Sequence, residues 1–182
     1  MDTLRLGPAE GTISVHTGVA GGAARVGHSL VIVVGDWEAA VRFAGSQPTQ
    51  AALTADVESM IVESGSGGLR PLSESDKGMI HNNAMRSLKA KSHPQIKFES
   101  TSLEHGNGSA AVAGTLFVAG RTGEVTAQLQ VEDRGDDWHL TCSVPIVQSA
   151  YGIKPYSLMF GQLRVADEVT VRLALTVGKA LL

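Results

Sequence analysis

A single cysteine, Cys142, in 182 residues excludes an intrachain disulfide and any zinc or iron–sulfur site built from a cysteine cluster. Aromatic residues make up only 4% of the chain, two Trp, two Tyr and four Phe, so large rings are too few to fill a wide interior alone. A basic excess is missing too. Lys and Arg number 15 against 18 Asp and Glu, a net charge of −3, which argues against a nucleic-acid partner. No apolar run approaches the roughly 20 residues that a membrane-spanning helix needs, so no transmembrane segment is expected. The opening Met1-Asp2-Thr3-Leu4-Arg5 carries an acid at its second position and shows no signal-peptide core, which places the protein in the cytoplasm by expectation. The six histidines, His16, His28, His81, His93, His105 and His139, form neither His-x-Glu nor His-Glu-x-x-His. Gly65-Ser66-Gly67-Gly68 and the glycine-rich stretch 18–27 lack the Gly-Lys-Ser/Thr ending and the strand–glycine–helix setting of a phosphate loop. Neither a metal nor a cofactor is expected.

What the chain does contain is period-two alternation, the spacing that sends successive side chains to opposite faces of a strand. Leu30, Ile32 and Val34 share one face, as do Leu53, Ala55 and Val57, and Ile96 and Phe98 are flanked by Lys97 and Glu99. Val125, Ala127, Leu129 and Val131 interleave with Glu124, Thr126, Gln128 and Gln130, and Val169, Val171, Leu173 and Leu175 interleave with Glu168, Thr170 and Arg172. Turn residues separate these runs at 45–48, 106–108, 120–123 and 134–137, short reversals that suit antiparallel neighbours. Gly65–Gly68 reads as a longer flexible loop leading to a single helix. Ser73 caps that helix, Asp76 three residues on completes an approximate capping box, Met79, Ala84, Met85 and Leu88 keep helical spacing, and Pro94 ends any continuation.

One domain over residues 1–182, mainly β, with one helix set in a loop, follows. The architecture is an antiparallel barrel or a sandwich; closure removes exposed edges and favours the barrel. Small residues on the strands, as in Gly108-Ser109-Ala110-Ala111-Val112-Ala113-Gly114-Thr115, leave two outcomes open, a hollow interior or a smaller core filled by Leu, Val and Met.

Catalytic spacings are scarce. His139 and Cys142 lie three apart in a strand and so point to opposite faces, and Cys142 shares the parity of Leu140 and Val144, which makes it a small core residue. His28 opens an apolar strand, as a satisfied structural histidine or as a ligand contact. The stretch Tyr151-Gly152-Ile153-Lys154-Pro155-Tyr156-Ser157-Leu158-Met159-Phe160 gathers both tyrosines in an irregular segment, either a lid over a barrel mouth or a plug.

The chain resembles the YceI-like, or polyisoprenoid-binding-like, family. The segments that carry the resemblance are Gly27-His28-Ser29-Leu30 with Trp37, Pro71-Leu72-Ser73-Glu74-Ser75-Asp76-Lys77, His93-Pro94-Gln95-Ile96-Lys97-Phe98-Glu99-Ser100, Gly114-Thr115-Leu116, and Tyr151-Gly152-Ile153-Lys154-Pro155-Tyr156 ahead of Val165-Ala166-Asp167-Glu168-Val169. Ser29 departs from the Asp or Asn of the related branch. The resemblance implies a lipocalin-like antiparallel β-barrel of about eight strands that binds an isoprenoid or other amphiphilic lipid in its lumen. Size and strand parity then nominate Leu30, Ile32, Phe43, Phe98, Phe117 and Tyr156 as lipid contacts, with His28, Tyr151 and Phe160 beside them. Two other functions stay open: a packed interaction module, or an enzyme using His28 on a lipid-like substrate. Exposed strand faces leave room for a homodimer.

Overall fold

Alternation fixes which side of each strand turns inward, and tight turns fix which strands meet. The computed structural model describes residues 2–181. Its elements are β1 (Asp2–Leu6), β2 (Gly11–His16), β3 (Val19–Ala20), β4 (His28–Val34), β5 (Trp37–Ala44), β6 (Gln47–Asp56), β7 (Met60–Gly67), α1 (Glu74–Ser87), β8 (Gln95–Gly106), β9 (Ser109–Val118), β10 (Arg121–Asp133), β11 (Asp137–Val147), β12 (Ser157–Leu158), β13 (Leu163–Val165) and β14 (Glu168–Gly178). Eleven strands form one antiparallel sheet in the order β1-β5-β6-β8-β9-β10-β11-β14-β2-β4-β7, and β12-β13-β3 form a small second sheet. The helix α1 is not long and apolar enough to cross a membrane, nor is any other among the described residues.

The closed eight-stranded barrel expected from the sequence needs correction. The sheet curls into a half-barrel, and among the described residues no ladder joins its two edge strands, β1 and β7. The reason lies at Gly35-Asp36 and Val57-Glu58-Ser59, where two long strands bend together. Gly35 N–H donates to the Ser59 carbonyl and Asp56 N–H to the Asp36 carbonyl, each at 3.0 Å, so one hairpin continues through the bend as β4–β7 on one side and β5–β6 on the other. That bend splits two strands into four and brings the sheet's ends together through the chain itself.

Gly65–Gly67, read as loop, is instead the end of β7, paired with His28, Ser29 and Leu30. A side chain on Gly65 would lie 2.5 Å from Leu72 Cδ1, so glycine here lets the segment leading to α1 pack down on the sheet. Helix α1 then covers the β7 edge: His81 Nδ1 donates to the Met60 carbonyl at 2.8 Å, and Ile80, Met85 and Leu88 pack against the main core. Met79, counted with the apolar spacing, is 57% exposed.

Pairing of β10 with β11 stops at Gln130 opposite Thr141. Beyond it a second cluster forms around Val118, Ala119, Ile146, Tyr151 and Ile153. The Tyr151 ring lies over Gly123, whose missing Cβ would meet the phenol oxygen at 2.7 Å. Burial, with the Glu124 charge adding to it, pushes the Tyr151 phenol above its ordinary value. Tyr151 is thus a wedge in the wall.

Candidate functional site

Inside the half-barrel lies a cavity of about 950 Å³, at the upper end of the roughly 300–1,000 Å³ of small-molecule sites. Its wall is the inward parity of nearly every strand: Leu30, Ile32 and Val34 from β4, Ile96 and Phe98 from β8, Val125, Ala127 and Leu129 from β10, Leu140, Cys142 and Val144 from β11, and Val169 to Leu175 at alternate positions of β14. Facing residues match in register, with Cys142 opposite Leu173 and Val144 opposite Val171. Ala39, Ala51, Ala55 and Ala127 stand on the inward parity where larger side chains would fill the lumen. Of the two interiors left open by the sequence, the hollow one is found.

Polar groups gather at the mouth, which is formed by α1, the 67–72 segment and the β12-β13-β3 sheet. His28 Nε2 donates to the Arg70 carbonyl at 2.7 Å. The Arg70 guanidinium grips Asp76 with two bonds of 2.7 and 3.0 Å, and Asp76 also accepts from the Ser73 backbone N–H at 2.8 Å and its hydroxyl at 2.7 Å. Ser73 returns a bond from the Asp76 N–H, so the capping box read from the sequence is present. Asn83, Gln148 and Arg164 complete the polar rim.

The Arg70 guanidinium first, and then the Ser73 donors, hold the Asp76 carboxyl well below the usual carboxylate range. A depressed folded value means the ionised carboxylate stabilises the fold above its unfolded value, and the contribution is lost only as pH falls through the folded one. Asp76→Asn is therefore expected to loosen the start of α1 at neutral pH, read as faster amide exchange in residues 73–77 and a lower Tm. The gap to the parent should close only in strong acid. An unchanged exchange rate would show that the cap does not hold this end.

Five sequence-nominated residues line the cavity: His28, Leu30, Ile32, Phe98 and Tyr156. The other four lie elsewhere. Phe117 has the opposite parity to Leu116 and Val118, so it stands on the outer face, edge-on to His93 with ring centres 6.0 Å apart. Phe43 follows a register shift after Arg42 near the end of β5 and lies off the lumen wall. Tyr151 belongs to the second core cluster, and Phe160 is fully exposed. Sequence reasoning missed Arg70 and Gln148, which sit on turns, Asn83 on α1, and Arg164 in β13, a strand of three residues too short for alternation to mark direction. Trp37, from the family-like segment, is 3% exposed in the core beneath the bend, and its indole N–H has no acceptor.

Cys142 faces the lumen while His139, on the other face, reaches Thr176 Oγ1 at 3.4 Å. Burial pushes the Cys142 thiol up, against a smaller opposing contribution from the Leu173 backbone. Among the described residues, no three His, Cys, Asp or Glu side chains converge as a metal site would require.

A family profile described as the YceI-like domain matches residues 8–177. The chain belongs to the YceI-like family. Among solved structures, BcnA of Burkholderia cenocepacia is similar with a TM-score of 0.69 and 21% identity, over 92% of this chain and 96% of that one. The YCEI protein of Campylobacter jejuni is similar with a TM-score of 0.62 and 13% identity, over 81% and 84% of the two chains. A mutant of the latter, with the same scores, was crystallised with a monobromobimane guest. At these identities the likeness is one of fold. No curated protein sequence is significantly similar to the chain.

Proposed function

We propose that this YceI-like protein binds and carries one hydrophobic or amphiphilic chain, an isoprenoid or a fatty species, inside the half-barrel. The observation that carries the reading is the apolar cavity of about 950 Å³, open at a mouth where the polar groups collect. A tail entering it leaves water for an apolar wall at roughly 0.8 kcal/mol per methylene, so ten carbons supply about 8 kcal/mol before ordering costs are subtracted. Ten buried carbons therefore set micromolar affinity as an upper limit, and a longer chain is needed to offset the ordering costs. Membership of the YceI-like family, whose resemblance implies binding of an isoprenoid or other amphiphilic lipid, points the same way. A carrier also suits the mouth chemistry better than an enzyme does, because His28, Arg70 and Asp76 are each tied to a neighbour.

Native mass spectrometry with organic extraction tests whether a lipid accompanies the protein, and phenylnaphthylamine supplies a neutral fluorescent probe. The probe should brighten on addition and be displaced by farnesol or oleate. Cys142 gives a second readout at the lumen wall: its alkylation by N-ethylmaleimide should be slow and should slow by a further factor of about ten once the lumen is occupied. A dark probe together with an alkylation rate indifferent to either lipid would sink the carrier reading.

A further inference from the structure

Nine large apolar side chains are exposed among the described residues, and six of them, Leu69, Met79, Tyr156, Leu158, Met159 and Phe160, lie in the segments that form the mouth. Leu69, Met79, Tyr156 and Leu158 line the cavity as well, so the apolar lumen continues outward onto an apolar rim. Phe160 is the extreme, with a relative exposure of 109%. Met159 and Phe160 both hold left-handed backbone, with φ of 52° and 55°, in the turn joining β12 to β13. Bulky residues avoid that region, and strain of this kind clusters at functional sites.

Charge on this face runs against the chain as a whole. The segments 18–28, 67–84 and 148–167 carry five cations, Arg25, Arg70, Lys77, Lys154 and Arg164, and three acids, Glu74, Asp76 and Asp167, in a protein of net charge −3. All three acids are already engaged, Glu74 by Lys77, Asp76 by Arg70, and Asp167 by the Ser149 backbone N–H and hydroxyl. Arg25, Lys154 and Arg164 are exposed and form no ion pair with any described residue. Arg25 lies in the short turn Ala24–Val26, tied to the same rim by the bond from the Ala23 N–H to the Gln162 carbonyl at 2.8 Å.

We propose that the mouth face docks onto the surface of an anionic lipid bilayer, with Met159 and Phe160 entering the headgroup boundary and Arg25, Lys154 and Arg164 meeting the phosphates. An apolar protrusion ringed by unpaired cations is the pattern that interfacial membrane binders present, and attraction to anionic lipid adds to burial of the apolar groups. The lumen would then open onto the bilayer, so that a lipid chain passes between the two without crossing water.

Cosedimentation with vesicles of phosphatidylcholine containing about one-third phosphatidylglycerol tests this at low ionic strength, with pure phosphatidylcholine vesicles as reference. The protein should sediment with the anionic vesicles and be released by salt. Phe160→Asn keeps a residue that tolerates left-handed backbone. It should weaken vesicle binding about tenfold, as should the double variant Arg25→Glu/Lys154→Glu, with thermal melting unchanged. Phenylnaphthylamine uptake without vesicles should match the parent in Phe160→Asn, which separates failure at the surface from failure of the lumen. Absence of sedimentation with anionic vesicles, or binding that Phe160→Asn leaves intact, would overturn the proposal. So would a concentration-dependent dimer in sedimentation velocity that Phe160→Asn abolishes, which would assign the face to a second copy of the chain.

Discussion

Gly114→Val is expected to destabilise the protein by about 3 kcal/mol or more, with Tm falling by roughly 10 °C for a domain of this size. Gly114 sits in the middle of β9, paired with Ser100 of β8 on one side and Val125 of β10 on the other. A Cβ there would lie 2.3 Å from the Glu99 carbonyl oxygen and 2.6 Å from Phe98 Cζ. The first contact is with backbone and cannot be relieved by a rotamer change, so the ladder itself has to shift. The second shows what the glycine does for the site. Phe98 Cζ and Cε2 lie 2.6 and 2.7 Å from where that Cβ would stand, so the ring of this lumen residue occupies the space the glycine leaves. A valine would push the ring toward the void as well as straining the sheet, so ligand affinity should fall together with stability. Urea unfolding monitored by Trp fluorescence measures the first effect; an unchanged slope with a lower midpoint assigns it to the folded state. A variant within about 0.5 kcal/mol of the parent would mean that β8 and β9 yield more easily than their contacts imply.

The same strand shows where sequence reading succeeds and where it stops. Val125, Ala127 and Leu129 reach the lumen as their alternation requires, because Glu124, Thr126, Gln128 and Gln130 leave one parity for the interior, and Leu30, Ile32 and Val34 reach it although Val31 and Val33 between them are apolar too. On β9 the contrast fades: Ala110, Ala111, Ala113 and Gly114 are small on both faces, so Phe117 looks as good a lumen residue as its neighbour Leu116, and only the pairing with Lys97 turns it outward. Ser73 and Asp76 were legible because a capping box is a local device. The half-barrel was not, since the shared bend at Gly35-Asp36 and Val57-Ser59 depends on bonds between segments some twenty residues apart. The mouth was least legible of all. Arg70, Asn83, Gln148 and Arg164 come together only through the placement of α1 and the small sheet, and none has a periodic position to betray it.

Ala127→Trp should abolish lumen binding, with affinity for phenylnaphthylamine or farnesol falling at least about a hundredfold, roughly 3 kcal/mol, while the fold survives. Ala127 faces the cavity from the middle of β10, directly opposite Val112 across the β9–β10 ladder and between the lining residues Val125 and Leu129. In a close-packed core an indole at this site would cost roughly 1–3 kcal/mol or more through overpacking. Here the added ring enters space that no protein atom occupies, so it gains apolar contact, and stability should change by less than about 1 kcal/mol. The ligand loses what the ring takes, because a chain that must lie along the lumen cannot pass an indole planted in its centre. The pair of readouts makes the variant informative in each direction. Loss of binding with Tm retained places the ligand in the cavity. Unfolding would mean that the interior closes up in solution, and full affinity would move the ligand to another surface. Vesicle docking should persist in Ala127→Trp, since the rim around Phe160 lies outside the filled lumen.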